Sequence, residues 1–297
     1  MLKYSIKDLE QITGIKAHTL RVWEQRYGLF SPNRSETNIR RYSNEDLRML
    51  LNISILNANG MKISRIAELR PEEMRSEVLA ISNRNLEENL QIDNLVLAMV
   101  EMDEDRFEKA ISTNILKKGF DFTIRNIIYP FLVKVGVLWI TESINPAQEH
   151  FISNLVRQKL FTAIDGQVPK YGNHTESYLL FLPDQELHEI SLLYYHFLLR
   201  QSGQKSIFLG QAVPFEDLEK VFGIHRPKNL LTVLTSPLPG DGLQAYLNRL
   251  AATFPDSRIL VSGYQLVHLK PILPPNVVQF NTPADLVDLM PSLEGGS

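Results

Sequence analysis

A histidine with an acidic neighbour follows the first strand predicted in the C-terminal part of the chain. Residues 178–182 form an uninterrupted apolar run of the kind that buried parallel strands show, and the segment after them carries Glu186 and His188. A neutral imidazole on such a loop can donate a ring nitrogen to a metal ion, and the carboxylate can fix the other nitrogen. The spacing therefore makes His188 a candidate metal ligand, although this segment taken alone favours the alternative of a solvent-facing histidine at a helix start.

The first forty residues carry the donors that nucleic-acid recognition requires. Gly14 can end a first helix, and in the second helix Leu20 and Trp23 recur at helical spacing and should face the core. The outer face then presents donors to base edges or phosphates, and the aperiodic segment 30–38 is predicted as a loop beside further cations. The predicted DNA-binding residues are Lys16, His18, Thr19, Arg21, Gln25, Arg26, Arg34, Arg40, Arg41 and Tyr42.

Two short helices, a glycine turn and a basic loop form the pattern of a winged helix-turn-helix, which lays one helix in a DNA groove and contacts phosphates beside it. Charge supports this reading, because residues 1–70 carry a net charge of +5 and the remainder carries −8. The alternative is another helical bundle in which basic residues cluster by chance. We expect double-stranded DNA to be the partner of this segment.

The composition of the chain excludes several kinds of binding site and several classes of protein. The chain has 297 residues, a net charge of −3 and no cysteine, so disulfides and thiolate metal sites are excluded. No apolar run approaches the roughly 20 residues that a membrane span needs, and the first residues lack the apolar core of a signal peptide. The sequence predicts a cytosolic protein of two or three domains with no membrane partner.

The rest of the chain divides into a helical part and an alternating part. Apolar residues recur at helical spacing in four runs, near residues 86–99, 107–116, 124–135 and 151–160, which predicts a four-helix bundle. After a linker at 166–176, apolar runs alternate with helical segments, and the predicted strands are 178–182, 206–209, 230–234, 258–261 and 277–280. This alternation predicts a doubly wound parallel sheet of five strands, whose ligands bind at the carboxyl ends of the strands.

The N-terminal segment resembles the MerR family of transcriptional regulators. The resemblance rests on Tyr4-Ser5-Ile6, on Thr13-Gly14-Ile15, on the run from Thr19 to Leu29 and on Arg40-Arg41-Tyr42, and it covers about seventy residues. It implies a homo-oligomer, at least a dimer on DNA, that reads an operator of two-fold symmetry.

The segment around His188 resembles the Asp/Glu-x-His-x-x-Gly motif of cobalamin-binding domains. In that motif the histidine replaces the lower axial base of cobalt, which here implies His188 as the cobalt ligand and Glu186 as its partner. Ser191 stands where the motif has a glycine that lets the nucleotide tail of the cofactor pass close to the backbone.

Two further landmarks of the same domain are present in altered form. Ser236 and Leu238 resemble the Ser-x-Leu element that accepts the buried nucleotide base. The Gly-Gly pair expected after the next strand is Ser262-Gly263. The resemblance implies that Ser191, Ser236, Leu238 and Gly263 contact the cofactor.

The helical part adds a third resemblance. Trp139, nine residues, then Glu149-His150 is similar to the Trp-x9-Glu-His pattern of light-sensing MerR regulators of the CarH and LitR type. It implies that Trp139 covers the upper face of the corrin and that Glu149 and His150 line that pocket; the alternatives are a core tryptophan and ordinary first-turn helix residues. Ile140 stands where photoreceptor members have a second cobalt-binding histidine, and Ile cannot bind a metal.

The sequence thus predicts a multidomain α and α/β protein. Its parts are a winged helix-turn-helix at 1–70, a four-helix bundle that resembles a cobalamin cap at 71–166 and a doubly wound five-stranded domain that resembles cobalamin-binding domains at 167–297. The predicted function is a DNA-binding regulator, not an enzyme and most often a repressor in this subgroup, modulated by adenosylcobalamin or methylcobalamin. The alternatives are a regulator whose corrinoid domain binds no cobalamin and serves oligomerisation or partner docking, and, less favoured, a corrinoid enzyme subunit.

Overall fold

The computed structural model of the chain describes residues 4–30, 32–34, 40–84, 88–140, 144–168, 170–238 and 242–291. The chain separates into two compact units, Met1–Leu155 and Val156–Ser297. Within the described residues, no helix has the length and apolar character that a membrane span requires. The domain boundaries predicted after residues 70 and 166 remain predictions.

The N-terminal elements follow the predicted winged helix-turn-helix. The elements are α1 (Ile6–Thr13), α2 (Ala17–Tyr27), β1 (Asn33–Arg34), β2 (Arg40–Arg41), α3 (Asn44–Ala58) and α4 (Ile63–Ile66). Ser5 and Asp8 form a capping box at the start of α1, and Gly14 ends α1 with a φ of 72°. The short strands β1 and β2 pair antiparallel as a wing. The turn and cap residues therefore fix the angle at which α2 leaves α1.

Helices alone make up the rest of the described part of the first unit. They are α5 (Pro71–Arg84), α6 (Glu88–Glu101), α7 (Glu104–Lys118), α8 (Phe120–Thr123), a π-helix (Ile124–Ile128), α9 (Tyr129–Ile140) and α10 (Pro146–Asp165), which continues into the second unit. The third predicted helix is thus the succession of α8, the π-helix and α9. Leu95, Phe107, Ile127 and Phe131 are fully buried among these helices, as their helical spacing predicts.

The second unit contains the predicted five-stranded parallel sheet. The strands are β3 (Ser177–Pro183), β4 (Lys205–Val213), β5 (Asn229–Val233), β6 (Arg258–Ser262) and β7 (Val277–Gln279). The helices are α11 (Ile190–Gln201), α12 (Phe215–His225), α13 (Gly242–Thr253), α14 (Tyr264–Leu269) and α15 (Pro283–Leu289). Neighbouring strands are parallel throughout and follow the order β4-β3-β5-β6-β7. Only the short helix α14 has no counterpart among the predicted elements.

This strand order fixes where a ligand can bind. The chain passes from β3 to β4 on one side and then returns to place β5 on the other side of β3. The loops after β3 and β5 consequently diverge and leave a crevice at the carboxyl edge, which is the ligand-binding position of doubly wound sheets. Glu186 and His188 follow β3, and Ser236 follows β5, so the topology brings these predicted site residues to one crevice.

Candidate nucleic-acid interface and ligand site

The centre of the ligand site is the carboxylate of Glu186, which is 1% exposed. Its Oε1 accepts a hydrogen bond from His188 Nδ1 at 2.6 Å and one from the His188 backbone N–H at 3.1 Å. Its Oε2 accepts hydrogen bonds from the backbone N–H groups of Thr235 at 2.8 Å and Ser236 at 2.6 Å. The buried carboxylate thus joins the loop after β3 to the loop after β5.

These contacts determine the charge of Glu186. Burial by itself raises the pKa of the Glu186 carboxyl, but hydrogen bonds from the His188 side chain and from the backbone N–H groups of Ser236, His188 and Thr235 lower it by more, to about 2. The carboxylate is therefore ionised at neutral pH. An ionised acceptor on Nδ1 selects the tautomer in which Nδ1 carries the hydrogen and Nε2 carries the lone pair.

His188 presents its ring toward solvent from a loop that is held in place on both sides. Its side chain is 63% exposed, and Ser236 Oγ lies 3.2 Å from its Nδ1. The backbone of the loop is fixed by hydrogen bonds from Ala212 N–H to the Glu186 carbonyl and from Gln211 Nε2 to the Leu187 carbonyl. The arrangement fits a histidine that offers Nε2 to a metal carried by a larger ligand, because the partner residue and the ring orientation are already in place.

A cavity of about 470 Å³ adjoins this loop at the carboxyl edge of the sheet. Leu238, a predicted cofactor contact, lines it together with Pro183, Phe215 and Tyr246. The guanidinium of Arg249 lies 3.7 Å above the centre of the Phe215 ring. Leu238 therefore lies beside this cavity, and its contact with the cofactor remains a prediction.

Gly263 has a structural role of its own. Its φ is 119°, and a Cβ atom at this position would lie 2.4 Å from the carbonyl oxygen of Leu234. The Leu234 N–H donates to the Ser262 carbonyl, and the Leu234 carbonyl accepts from Gln265 N–H. The ends of β5 and β6 therefore approach so closely that only glycine fits, and contact of Gly263 with the cofactor remains a prediction.

The residues predicted to cover the ligand lie in the first unit. Trp139 is 45% exposed, which argues against a core tryptophan. Glu149 and His150 follow the start of α10, with Glu149 Oε2 and His150 Nδ1 2.7 Å apart, and the other Glu149 oxygen contacts the Ser153 hydroxyl. The side chain of Ile140 lies outside the described residues. The role of Trp139, Glu149 and His150 in a pocket remains a prediction.

The predicted recognition helix has the two faces that its spacing implies. Leu20 and Trp23 are buried, whereas Lys16, His18, Arg21, Gln25 and Arg26 are exposed and Thr19 is half-buried. Lys16 pairs with Glu10 at 3.1 Å, and the guanidinium of Arg26 lies 5.5 Å from the centre of the Tyr27 ring. Arg21 is the exposed cation at the middle of α2, where a helix in a major groove meets base edges.

Two of the predicted wing residues, Arg40 and Tyr42, contact the side chain of Glu24 within the same domain. Arg40 Nε lies 3.1 Å from Glu24 Oε2, and Tyr42 is 1% exposed with its hydroxyl 3.5 Å from the same oxygen. Backbone hydrogen bonds in both directions join Tyr42 to Tyr4. Arg41 is half-buried, and the side chain of Arg34 lies outside the described residues. Because Tyr42 is buried, it stabilises the wing from within the domain. Its direct contact with DNA remains a prediction, which this burial does not favour.

Sequence reasoning missed two residues that organise these sites. Glu24 orients both Arg40 and Tyr42. The sequence could have indicated this role, because Glu24 lies between Trp23 and Gln25 in the MerR-like run. An acidic side chain that faces neither the core nor DNA needs a partner. Thr235 supplies a backbone N–H to Glu186, and a backbone donor leaves no signal in residue type.

Comparisons with known proteins match two parts of the chain to known families. Residues 4–73 match the family described as MerR HTH family regulatory protein, and residues 91–163 match the B12 binding domain. The chain is 26% identical to the HTH-type transcriptional repressor CarH of Myxococcus xanthus over 85% of each chain. It is 27% identical to the repressor CarA of the same organism over 72% of this chain and 70% of CarA.

A third relative matches only the N-terminal part. The HTH-type transcriptional regulator MlrA of Escherichia coli is 30% identical over 25% of this chain and 30% of its own. Together with the helix-turn-helix and the wing, these matches show that the chain is a DNA-binding transcriptional regulator rather than an enzyme, with a MerR-type helix-turn-helix and a B12-binding domain, and homologous to the repressors CarH and CarA.

Proposed function

We propose that this regulator is a transcriptional repressor whose affinity for its operator is controlled by adenosylcobalamin or methylcobalamin. The observation that carries the proposal is the hydrogen bond between Glu186 and His188 Nδ1, at the crevice where the loops after β3 and β5 diverge. It prepares one imidazole nitrogen as a ligand, and the part of the chain that the structure describes holds no group of three or more side chains that could bind a free metal ion. This suits a metal that arrives within a macrocycle. The repressor assignment rests on the similarity of the chain to the transcriptional repressors CarH and CarA.

Different residues of the chain would contact different parts of the cofactor. His188 would hold the cobalt, Glu186 and Ser236 would hold the His188 ring, and Leu238 would be a further contact of the cofactor. Trp139, Glu149 and His150 would line the upper side. When bound, the cofactor supplies a cobalt–carbon bond that light can break. A ligand that favours one arrangement of the bundle and sheet over another would shift the population of the DNA-binding form.

The DNA-binding form is proposed to be at least a dimer, acting in the cytoplasm. The predicted domains at 1–70, 71–166 and 167–297 would supply the DNA reader, the cap and the cofactor base, respectively. Two recognition helices that enter adjacent major grooves must stand about 34 to 36 Å apart, and one α2 fills only one groove. A footprint over two symmetric half-sites supports this proposal, and protection of a single half-site contradicts it.

The cofactor proposal is tested by the visible absorption spectrum of the protein mixed with adenosylcobalamin in the dark. Binding through His188 should produce the spectrum of cobalt with an imidazole as lower ligand, and His188→Ala should abolish it. His174→Ala, which removes an exposed histidine on the linker before β3, should leave the spectrum unchanged. Retention of the imidazole spectrum in His188→Ala would show that another residue binds cobalt.

One observation favours a second candidate function. Two of the three positions at which the cobalamin motif has glycine hold serine, Ser191 and Ser262, and Ser262 is 4% exposed. A domain altered in this way could bind no cobalamin and serve oligomerisation or partner docking instead. In that case the protein shows no spectral change with micromolar cobalamin, and His188→Ala leaves oligomeric state and operator affinity unchanged.

A further inference from the structure

Tyr195 lies on α11, the helix that follows the loop of Glu186 and His188, and does not line the cavity. Ser191 and Tyr195 are four residues apart and therefore lie on the same face of α11. Ser191 is half-buried at the first turn, whereas Tyr195 is 4% exposed one turn further on. The helix α11 is also in contact with α15.

The Tyr195 side chain spans the groove between α11 and the ends of the last two strands. Its ring meets the Phe280 ring edge-on, with centroids 5.1 Å apart and an interplanar angle of 70°. Its hydroxyl lies within hydrogen-bonding reach of the Ser262 side chain, and Asp285 of α15 is close enough to affect its charge. Burial, and to a lesser extent Asp285, raises the pKa of Tyr195. Phe280 is 1% exposed, so the groove is filled by packed side chains.

A cobalamin bound through a protein histidine must place its nucleotide tail somewhere. When His188 takes the lower position on cobalt, the benzimidazole base that otherwise occupies it is displaced with its ribose phosphate. The base either enters the protein or stays in solvent. Two of the three positions at which the motif has glycine carry side chains in this chain, Ser191 and Ser262, whereas Gly263 keeps its glycine. Tyr195 shares a helix face with Ser191 and lies within hydrogen-bonding reach of Ser262.

We propose that Tyr195 closes the groove between α11, Ser262 and Phe280, so that the protein binds the corrin ring through His188 and leaves the nucleotide tail outside. Recognition then depends on the ring and not on the tail, and the ligand class extends to corrinoids without a nucleotide. This inference rests on the proposed function, because it requires that His188 binds a corrinoid.

The cavity lined by Phe215 and Tyr246 is not suited to bind the nucleotide tail in place of the groove. Its aromatic walls, Phe215 and Tyr246, would suit a flat ring, but Asp184 and Glu216 also line it. Against these two carboxylates its described lining offers one cation, Arg249, which already stacks on Phe215. Like-charge repulsion would therefore oppose the phosphate that links the base to the corrin ring.

The proposal has a measurable consequence for affinity. A base buried in the protein would add apolar contact worth on the order of 100-fold in affinity, so a tail-binding protein should prefer cobalamin strongly. With the groove closed this gain is absent. In full cobalamin the tethered base also competes with His188 for cobalt, whereas cobinamide, which lacks the nucleotide, has no such competitor. Cobinamide should therefore bind as tightly as cobalamin or more tightly.

The experiment compares hydroxocobalamin with the hydroxo form of cobinamide on the full chain, by equilibrium dialysis and by the visible spectrum. For the wild-type protein, a dissociation constant for cobinamide equal to or below that for cobalamin, within about threefold, supports the proposal, and a preference for cobalamin beyond about threefold overturns it. Binding of neither corrinoid overturns the proposed function together with this inference. A failed inference is therefore distinguished from a failed function.

Two variants test whether Tyr195 itself is responsible. Tyr195→Ala opens the groove and should shift the ratio of the two dissociation constants toward cobalamin by at least roughly threefold. Tyr195→Phe keeps the ring against Phe280, removes only the hydroxyl near Ser262 and should leave the ratio unchanged. An unchanged ratio in a folded Tyr195→Ala protein overturns the role of Tyr195. If that variant does not fold, the wild-type comparison still decides the proposal.

Discussion

Replacing Glu186 with glutamine should destabilise the second unit although the two side chains have nearly the same shape. The two carboxylate oxygens accept hydrogen bonds from His188 on one side and from the backbone N–H groups of Thr235 and Ser236 on the other. A glutamine amide has one acceptor oxygen and one NH₂ group. Whichever way the amide is turned, Glu186→Gln therefore places donors against donors in a buried position.

The magnitude of the loss follows from the pKa of Glu186. This pKa falls from 4.5 to about 2, which at about 1.4 kcal/mol per pKa unit corresponds to on the order of 3 kcal/mol of stabilisation by the ionised form. Because the side chain is 1% exposed, solvent screens little of this energy. Glu186→Gln should lower the free energy of unfolding of the second unit at pH 7 by about 3 kcal/mol.

The sign of the pH dependence follows from the direction of the shift. A carboxyl whose pKa is lower in the folded state stabilises the fold fully above its unfolded pKa and loses this contribution as the pH falls toward the folded pKa. The difference between wild type and Glu186→Gln should therefore be complete above pH 4.5 and shrink as the pH approaches about 2.

Hydrogen–deuterium exchange measured by mass spectrometry is the suitable assay, because peptides from β3 and β5 report the second unit separately from the first. Asp184→Asn is the matched control: it neutralises an exposed carboxylate on the same loop and should change stability by less than about 0.5 kcal/mol. If Glu186→Gln protects these peptides as well as the wild type does at pH 7, the reasoning about the carboxylate is refuted.

Arg21→Ala should weaken operator binding by about 1 to 3 kcal/mol in a gel-shift titration through loss of base contacts, whereas Arg41→Ala should chiefly reduce the salt dependence; wild-type affinity at every salt concentration in both variants would contradict the assigned surface. Gly263→Ala should destabilise the fold by more than about 3 kcal/mol in thermal unfolding, since the added Cβ meets Leu234 and the backbone φ is unfavourable. Gly223→Ala, with open space around a helical position, should be neutral or stabilising, and equal effects of the two would contradict the packing argument.

Residue type alone predicted a large part of the second unit's fold. The five strands were expected within a few residues of their observed bounds, because buried parallel strands are continuous apolar runs whose pattern does not depend on their neighbours. α14 was missed, since Tyr264–Leu269 is a six-residue helix too short to show a helical period. The order of the strands in the sheet could not be predicted from the sequence either, because each apolar run pairs equally well with several others.

The sequence by itself determined which chemical groups are present and on which elements they lie. It identified His188 and Glu186 as a candidate pair, because the two residues are close together on one short loop, and the structure shows the contact between them. It also predicted the two faces of α2, because the spacing of Leu20 and Trp23 in a helix fixes which positions are buried.

Only the tertiary structure decided what those groups touch across the fold. Thr235 and Ser236 reach Glu186 because β5 lies beside β3, and Tyr195 fills the groove because α11 places it opposite Ser262. These contacts join residues that are 49 to 67 positions apart in the chain, and no local spacing in the sequence predicts them. Their cause is the order of strands in the sheet, which is set by the packing of the whole unit.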